Sequence, residues 1–224
     1  MGSCSFSIFT INTLIRGFVL MVELNQEQYE QVVFLTKCVY HDLPWPSSYG
    51  LVHEVELFSG LRFNVFDFPD HMLIVICGTN STRDWIANFK VFFRITPRQH
   101  RQALKHVREI YNKLPAGKPL IIAGHSLGAG IAEYCASFFH DDVLMIGFNG
   151  CGVAHLCKNH CEYNMVHVIT DRDILNCLTS LLPGKRWMKH LGEKNIIKDK
   201  TTWNPVKSHG NFDKFMEFDW SERE

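Results

Sequence analysis

The sequence predicts an α/β domain with a mainly parallel central sheet and helices on both faces. Three observations point there. Short apolar runs rich in β-branched residues recur along the chain: HMLIVIC at 71–77, LIIA at 120–123, VLMIGF at 143–148 and MVHVIT at 165–170. Segments with apolar residues at helical spacing alternate with them. No internal repeat, linker or low-complexity block divides the 224 residues, a length that suits one sizeable core. Strands buried on both faces read as continuous apolar runs, and alternation with helices implies parallel crossovers.

Residues 25–40, NQEQYEQVVFLTKCVY, predict a first helix. LVHEVELF at 51–58 and LRFNVFDF at 61–68 alternate at period two and join at Ser59-Gly60, so they predict a hairpin. Residues 71–77 predict a central strand. A short helix is expected at Asp84 to Phe89. A second, amphipathic helix is expected from Pro97, a residue favoured at helix starts, to Leu114. The strand at 120–123 and the helix that follows frame the most informative stretch. Two more buried strands follow at 143–148 and 165–170. Beyond them the pattern is less regular: strand or loop near Trp187 to Ile197, then a last helix near Asn211 to Phe218.

That stretch is Gly124-His125-Ser126-Leu127-Gly128-Ala129-Gly130. It lies where a buried strand gives way to a helix. Small residues at 124 and 128 let strand and helix backbones approach, and a tight turn pushes the Ser126 hydroxyl outward. The helix start adds free N–H groups and a positive dipole end. An acyl-transfer nucleophile needs both an exposed oxygen and donors for a developing oxyanion. A Gly-rich turn with a solvated serine is the plainer reading of the same residues.

A serine nucleophile also needs a base and an orienting carboxylate. The strand 165–170 runs into Asp171-Arg172-Asp173, so two carboxylates compete. His190 and His209 are the later histidines; Ser208-His209-Gly210 is loop-like and precedes the last helix, which favours His209. Each residue alone has an ordinary alternative, a helix cap or turn for the Asp and a solvated loop for the His. Their order behind the serine is what favours the chemical reading.

Charge is balanced, 23 basic against 23 acidic, and no run of like charge stands out, so a nucleic-acid partner or a polybasic membrane anchor is not expected. Cys77 and Cys135 sit in apolar runs and read as buried thiols; eight scattered cysteines in a chain this long make no disulfide framework and point to a reducing compartment, cytoplasmic or membrane-peripheral, with secretion left open. Cys151, His155, Cys157, His160 and Cys161 could be drawn as a zinc module, but C-x5-C-x3-C fits no common structural pattern, so no metal and no organic cofactor are expected. Residues 1–21 form an apolar extension interrupted by Asn12 and Arg16. It is marginal as a membrane span and has no basic start or cleavage site. It carries Phe6 where a myristoylation motif wants Ser or Thr. Met21 is a candidate start of the functional domain, 22–224.

Three blocks together resemble the class 3, fungal-type lipase-like family of the α/β-hydrolase superfamily: Ile76 to Asn88, Gly124 to Gly130, and Ile169 to Leu175, with Ser208-His209 as the late histidine. The resemblance spans about residues 50–218. It implies an α/β-hydrolase fold and, on its register, Asp173 as the triad acid beside Ser126 and His209. It implies Thr79 and Leu127 as oxyanion-hole residues, and a short lid near Ser81 to Phe89 with Trp85 and Ile86 as its apolar face. A lipid or ester substrate, acylglycerol or phospholipid, and a transient contact with a lipid interface follow. The sequence departs from the family pattern at Cys77, at Phe148-Asn149-Gly150-Cys151-Gly152 and at Asn176. A soluble short-chain carboxylesterase or thioesterase, and a catalytically silent lipid-binding module, are the alternative functions. The sequence says nothing of oligomeric state.

Overall fold

The computed structural model describes residues 22, 24–77, 85–139, 143–157, 164–176 and 189–222, with the backbone path alone for 85–97, 155 and 222. The apolar extension before Val22 lies outside these residues. No helix among them is long and apolar enough to cross a membrane.

The strands are β1 (Leu51–Glu56), β2 (Arg62–Asp67), β3 (Met72–Ile76), β4 (Leu120–His125), β5 (Val143–Phe148), β6 (Met165–Thr170) and β7 (Glu193–Ile197). They form one sheet in sequential order. β1–β2–β3 is an antiparallel meander, and β3 to β7 are parallel. The predicted hairpin is β1–β2, and its connection holds Gly60 at φ +78°, a left-handed turn conformation that costs glycine nothing. β4, β5 and β6 are buried at every position, which is why they read as continuous apolar runs.

Alternation along those strands builds two cores. Val75, Ile121, Ala123, Leu144, Ile146, Val166 and Val168 face one side, with α1 (Gln26–His41) and α5 (Phe212–Met216). Ile74, Ile76, Leu120, Ile122, Val143, Met145 and Met165 face the other, with α2 (Trp85–Tyr111) and α3 (Leu127–Ala136). α1 starts on a capping box in which Asn25 and Gln28 exchange side-chain and backbone bonds. Such a cap contributes about 1 kcal/mol. The buried Tyr29, Val32, Val33 and Leu35 contribute about 1.5–3 kcal/mol each, so packing rather than capping holds the helix in place.

Two elements differ from expectation. α2 is one helix of 27 residues, not two, and Pro97 lies inside it rather than at its start. An internal proline forfeits one backbone bond and costs about 3 kcal/mol. Burial of Ala103, Leu104 and Val107 in the turns beyond it offsets that. His209, expected in a loop, closes the one-turn helix α4 (Pro205–His209). Asn204 caps it by accepting from the Val206 and Lys207 N–H groups, and Pro205 sits at the first helical position. Cys77 and Cys135 are buried.

The C-terminal segment returns to α1. Tyr29 is fully buried, its ring stacks on Trp220 at 4.8 Å, and its hydroxyl donates to the Phe215 carbonyl at 2.9 Å. Tyr29→Phe keeps the packing and removes that bond, while the carbonyl still accepts the Phe218 N–H at 3.3 Å, so urea denaturation is expected to show a loss of about 1 kcal/mol with an unchanged m value.

Candidate functional site

The turn after β4 is set by backbone contact. A Cβ on Gly128 would lie 2.1 Å from the Ile76 carbonyl oxygen, and one on Gly124 would lie 2.4 Å from the Gly128 carbonyl carbon. Both glycines therefore permit α3 to start directly against β3 and β4. Ser126 between them takes φ +58°, ψ −121°, a conformation that L-residues rarely occupy. Its N–H donates to the Phe148 carbonyl at 3.0 Å, which fixes the turn to the end of β5. Leu127 is the first residue of α3, so its N–H lies in the turn that has no intrahelical acceptor.

Asp173 and His209 come together. His209 Nδ1 lies 2.5 Å from Asp173 Oδ1, and both side chains are buried. The second carboxylate oxygen, Oδ2, accepts the Asn176 N–H at 2.8 Å. Asp173 is thus also a cap for the helical turn that follows, through a bond that a proline at 176 could not make. Asp171, the competing carboxylate, turns away: its Oδ1 accepts the Asp199 N–H at 2.8 Å.

His125 joins serine and histidine. Its ring lies 4.7 Å from that of His209, and its Nε2–H donates to the His209 carbonyl at 2.7 Å. Burial, and then His209 itself, push the His125 pKa well down, so it acts as a neutral donor. The residue before Ser126 therefore holds the backbone of His209, which is more than the packing role its motif position suggests. Asp199 fixes the approach to α4 by accepting from the Thr201 N–H and Asn211 Nδ2.

Thr79 and Ser81 lie outside the described residues. Trp85, Ile86 and Phe89 fall in the first turns of α2, so a separate short lid helix gives way to the start of a long one. Of the Cys151-to-Cys161 cluster, Cys151 is buried and Cys157 half-buried; His160 and Cys161 lie outside the described residues.

His190, the other candidate base, belongs to a cluster that sequence reasoning missed. Glu133, His167 and His190 gather potential metal-binding atoms within 4.8 Å of one another. By type they could hold a cation. Several of their polar atoms are engaged with protein: Glu133 Oε1 accepts the Leu191 N–H at 3.0 Å, Oε2 faces His190 Nδ1 at 3.3 Å, and His167 Nε2 faces the Leu191 carbonyl at 3.0 Å. The cluster ties α3 and β6 to the chain entering β7. A lone carboxylate amid Ile131, Ala132, Cys135 and Ala136 was its sequence signal.

The chain belongs to the Mbeg1-like family. The family's model matches residues 52–168, which carry the sheet from β1 to β6 and the elbow. The extracellular phospholipase A1 of Serratia liquefaciens is 30% identical over 101 residues, 45% of this chain and 30% of that protein, so the match spans under a third of the relative's length. Among solved structures, a Rhizomucor miehei lipase–propeptide complex superposes with a TM-score of 0.58 at 16% identity, covering 85% of this chain and 75% of that one. A triacylglycerol lipase described as having a serine-protease triad at its catalytic centre gives 0.56 at 16% identity, covering 80% and 83%. The fold of this Mbeg1-like chain is the α/β-hydrolase fold of the fungal-type lipases, with a mainly parallel sheet and helices on both faces.

Burial pushes His167 down to about 3 and His190 to about 4, and pushes His125 down as well. In the unfolded chain these rings take up protons near pH 6.5, whereas in the fold they stay neutral. Their folded pKa values are depressed, so the unfolded state binds more protons as pH falls and stability is lost below about 6.5. The slope is up to about 1.4 kcal/mol per pH unit for each ring. Urea unfolding at pH 7.0 and 5.5 is expected to show that loss; equal stability at both would contradict the neutral buried state.

Proposed function

We propose that this chain is a serine ester hydrolase acting on lipid esters, acylglycerol or phospholipid, through a Ser126–His209–Asp173 triad. The observation that carries the reading is the buried Asp173–His209 hydrogen bond of 2.5 Å behind an elbow serine whose neighbour, His125, holds the His209 backbone. Asp173 fixes the proton of His209 on Nδ1 and leaves Nε2 as the base. Ser126 Oγ attacks the ester carbonyl carbon as Nε2 takes its proton. The tetrahedral oxyanion is stabilised by the Leu127 N–H at the head of α3 and by Thr79. His209 returns the proton to the leaving alcohol, an acyl-enzyme remains, and water, activated by the same ring, releases the acid. The chemistry needs no metal or organic cofactor. Residues 22–224 form the catalytic unit on this reading. The same reading assigns Ser81, Trp85, Ile86 and Phe89 to the substrate groove, on their place in the segment that resembles the family's lid.

The lipid class rests on the relatives: one is named a phospholipase A1 and another a triacylglycerol lipase. Hydrolysis of p-nitrophenyl esters from short to long acyl chains, and of phosphatidylcholine micelles, tests it. Long-chain or micellar substrates are expected to be preferred. Ser126→Ala and His209→Ala are expected to lower kcat by about 10⁴-fold or more, and Leu127→Pro, which deletes one N–H donor, by about 100-fold or more. A short-chain optimum with no gain from micelles would point to a soluble carboxylesterase instead. A wild type inert to every ester would sink the hydrolase reading and favour a silent lipid-binding module.

A further inference from the structure

The stretch that begins at the end of β5, Phe148 to Gly152, departs from the family pattern, and its second residue is built into the site. Asn149 is fully buried and holds φ +43°, a left-handed conformation that asparagine tolerates better than most side chains. Its N–H continues the β5–β6 ladder by donating to the Val168 carbonyl at 3.1 Å. The side-chain amide lies between the end of β6 and α4.

Four hydrogen bonds meet on that amide. Oδ1 accepts the Thr170 N–H at 2.8 Å and the Thr170 hydroxyl at 3.2 Å. Nδ2 donates to the His209 carbonyl at 2.9 Å and to the Ser208 carbonyl at 3.2 Å. The orientation of the amide is fixed by its partners, because a flipped group would set oxygen against two carbonyls and nitrogen against an N–H. Thr170 ends β6, and its carbonyl accepts the Asp173 N–H at 3.0 Å. One side chain therefore bridges the turn that carries Asp173 and the backbone of His209.

We propose that Asn149 is a positioning residue that sets the separation of Asp173 and His209. The proposal rests on the triad reading above, and it assigns to Asn149 the register between the turn of Asp173 and the end of α4 at His209, 36 residues apart in sequence. His125 supplies the second hydrogen bond to the His209 carbonyl, so both lone pairs of that oxygen are used. Asn149 links that oxygen to the acid's strand, beside the direct Thr170–Ser208 hydrogen bonds at 3.0 and 3.4 Å. A carboxylate at 149 could accept from Thr170 but would repel the His209 and Ser208 carbonyls. The protonated acid could both accept and donate, as the amide does.

The test compares wild type with Asn149→Ala, Asn149→Ser and Asn149→Asp, using three readings. Thermal melting identifies the variants that fold. Proton NMR of ¹⁵N-histidine-labelled protein, with His209→Ala to assign it, follows the Nδ1–H signal of His209, which a 2.5 Å bond to Asp173 sets far downfield. Ester kinetics supply kcat and KM against pH. A misplacement of the base lowers kcat by about 10- to 100-fold with KM little changed, and moves the His209 signal upfield. In Asn149→Asp, activity relative to wild type is expected to recover as pH falls and the acid becomes neutral, a reversal that simple loss of packing would not produce. Folded variants whose His209 signal and kcat match wild type would overturn the proposal. If Asn149→Ala does not fold, Asn149→Asp read across pH decides the question. If the wild type hydrolyses no ester, the NMR signal still decides the role of Asn149, while the hydrolase reading fails separately.

Discussion

The contact on which this molecule depends is the approach of the α3 backbone to the end of β3. With a Cβ at residue 128 projecting to within 2.1 Å of the Ile76 oxygen, only glycine lets the helix begin there. That start is what turns the chain at Ser126 into its positive-φ conformation and presents Leu127 at the head of a helix. Overpacking of a core by one carbon commonly costs 1–3 kcal/mol, roughly a quarter of a small domain's stability. Here the opposing atoms are backbone and have little room to move. The site's geometry is therefore a consequence of sheet–helix packing, with the Ser126 N–H bond to the Phe148 carbonyl tying the turn to β5.

Around that turn, three neighbouring parallel strands deliver their ends to one place. β4 ends at His125, β5 leads into Asn149, and β6 leads into the turn of Asp173. The fourth contributor, His209, comes from far along the chain and is held from several sides. His125 and Asn149 bind its carbonyl, Asp173 binds its ring, and the aromatic packing of Tyr29, Phe215 and Trp220 holds the helix and turn that follow it. Each neutral hydrogen bond contributes about 1 kcal/mol net, but leaving one of these buried groups unpaired costs more than that. The network is consequently more sensitive to single deletions than its individual bonds suggest.

The strands were legible because burial on both faces leaves an uninterrupted apolar run, and the elbow was legible because its two glycines answer a steric demand. Asp173 and Asp171 were not separable from local pattern. Which of them meets His209 depends on a turn closed by the Thr170 carbonyl and the Asn176 N–H, and neither appears in residue types alone. Pro97 looked like a helix start because local propensity penalises it inside a helix, whereas burial of Leu104 and Val107 beyond it prevails. His209 looked like a loop residue because Asn204-Pro205, a capping pair one turn earlier, went unread. The roles of Glu133 and Asn149 were not legible for a common reason: each is a polar residue in an apolar context whose partners lie on distant segments. Such residues can be flagged in a sequence, but their partners cannot be named from it.

The central claim is that the elbow makes Ser126 a nucleophile. Its most direct test is intact-protein mass spectrometry after incubation with a fluorophosphonate at neutral pH, with peptide mapping of any adduct. The account predicts a single adduct, on Ser126, formed rapidly in the wild type and far more slowly in Asp173→Asn, where the histidine loses its orienting carboxylate. A folded wild-type protein that gains no mass, or that is modified at another serine while Ser126 stays free, would contradict it.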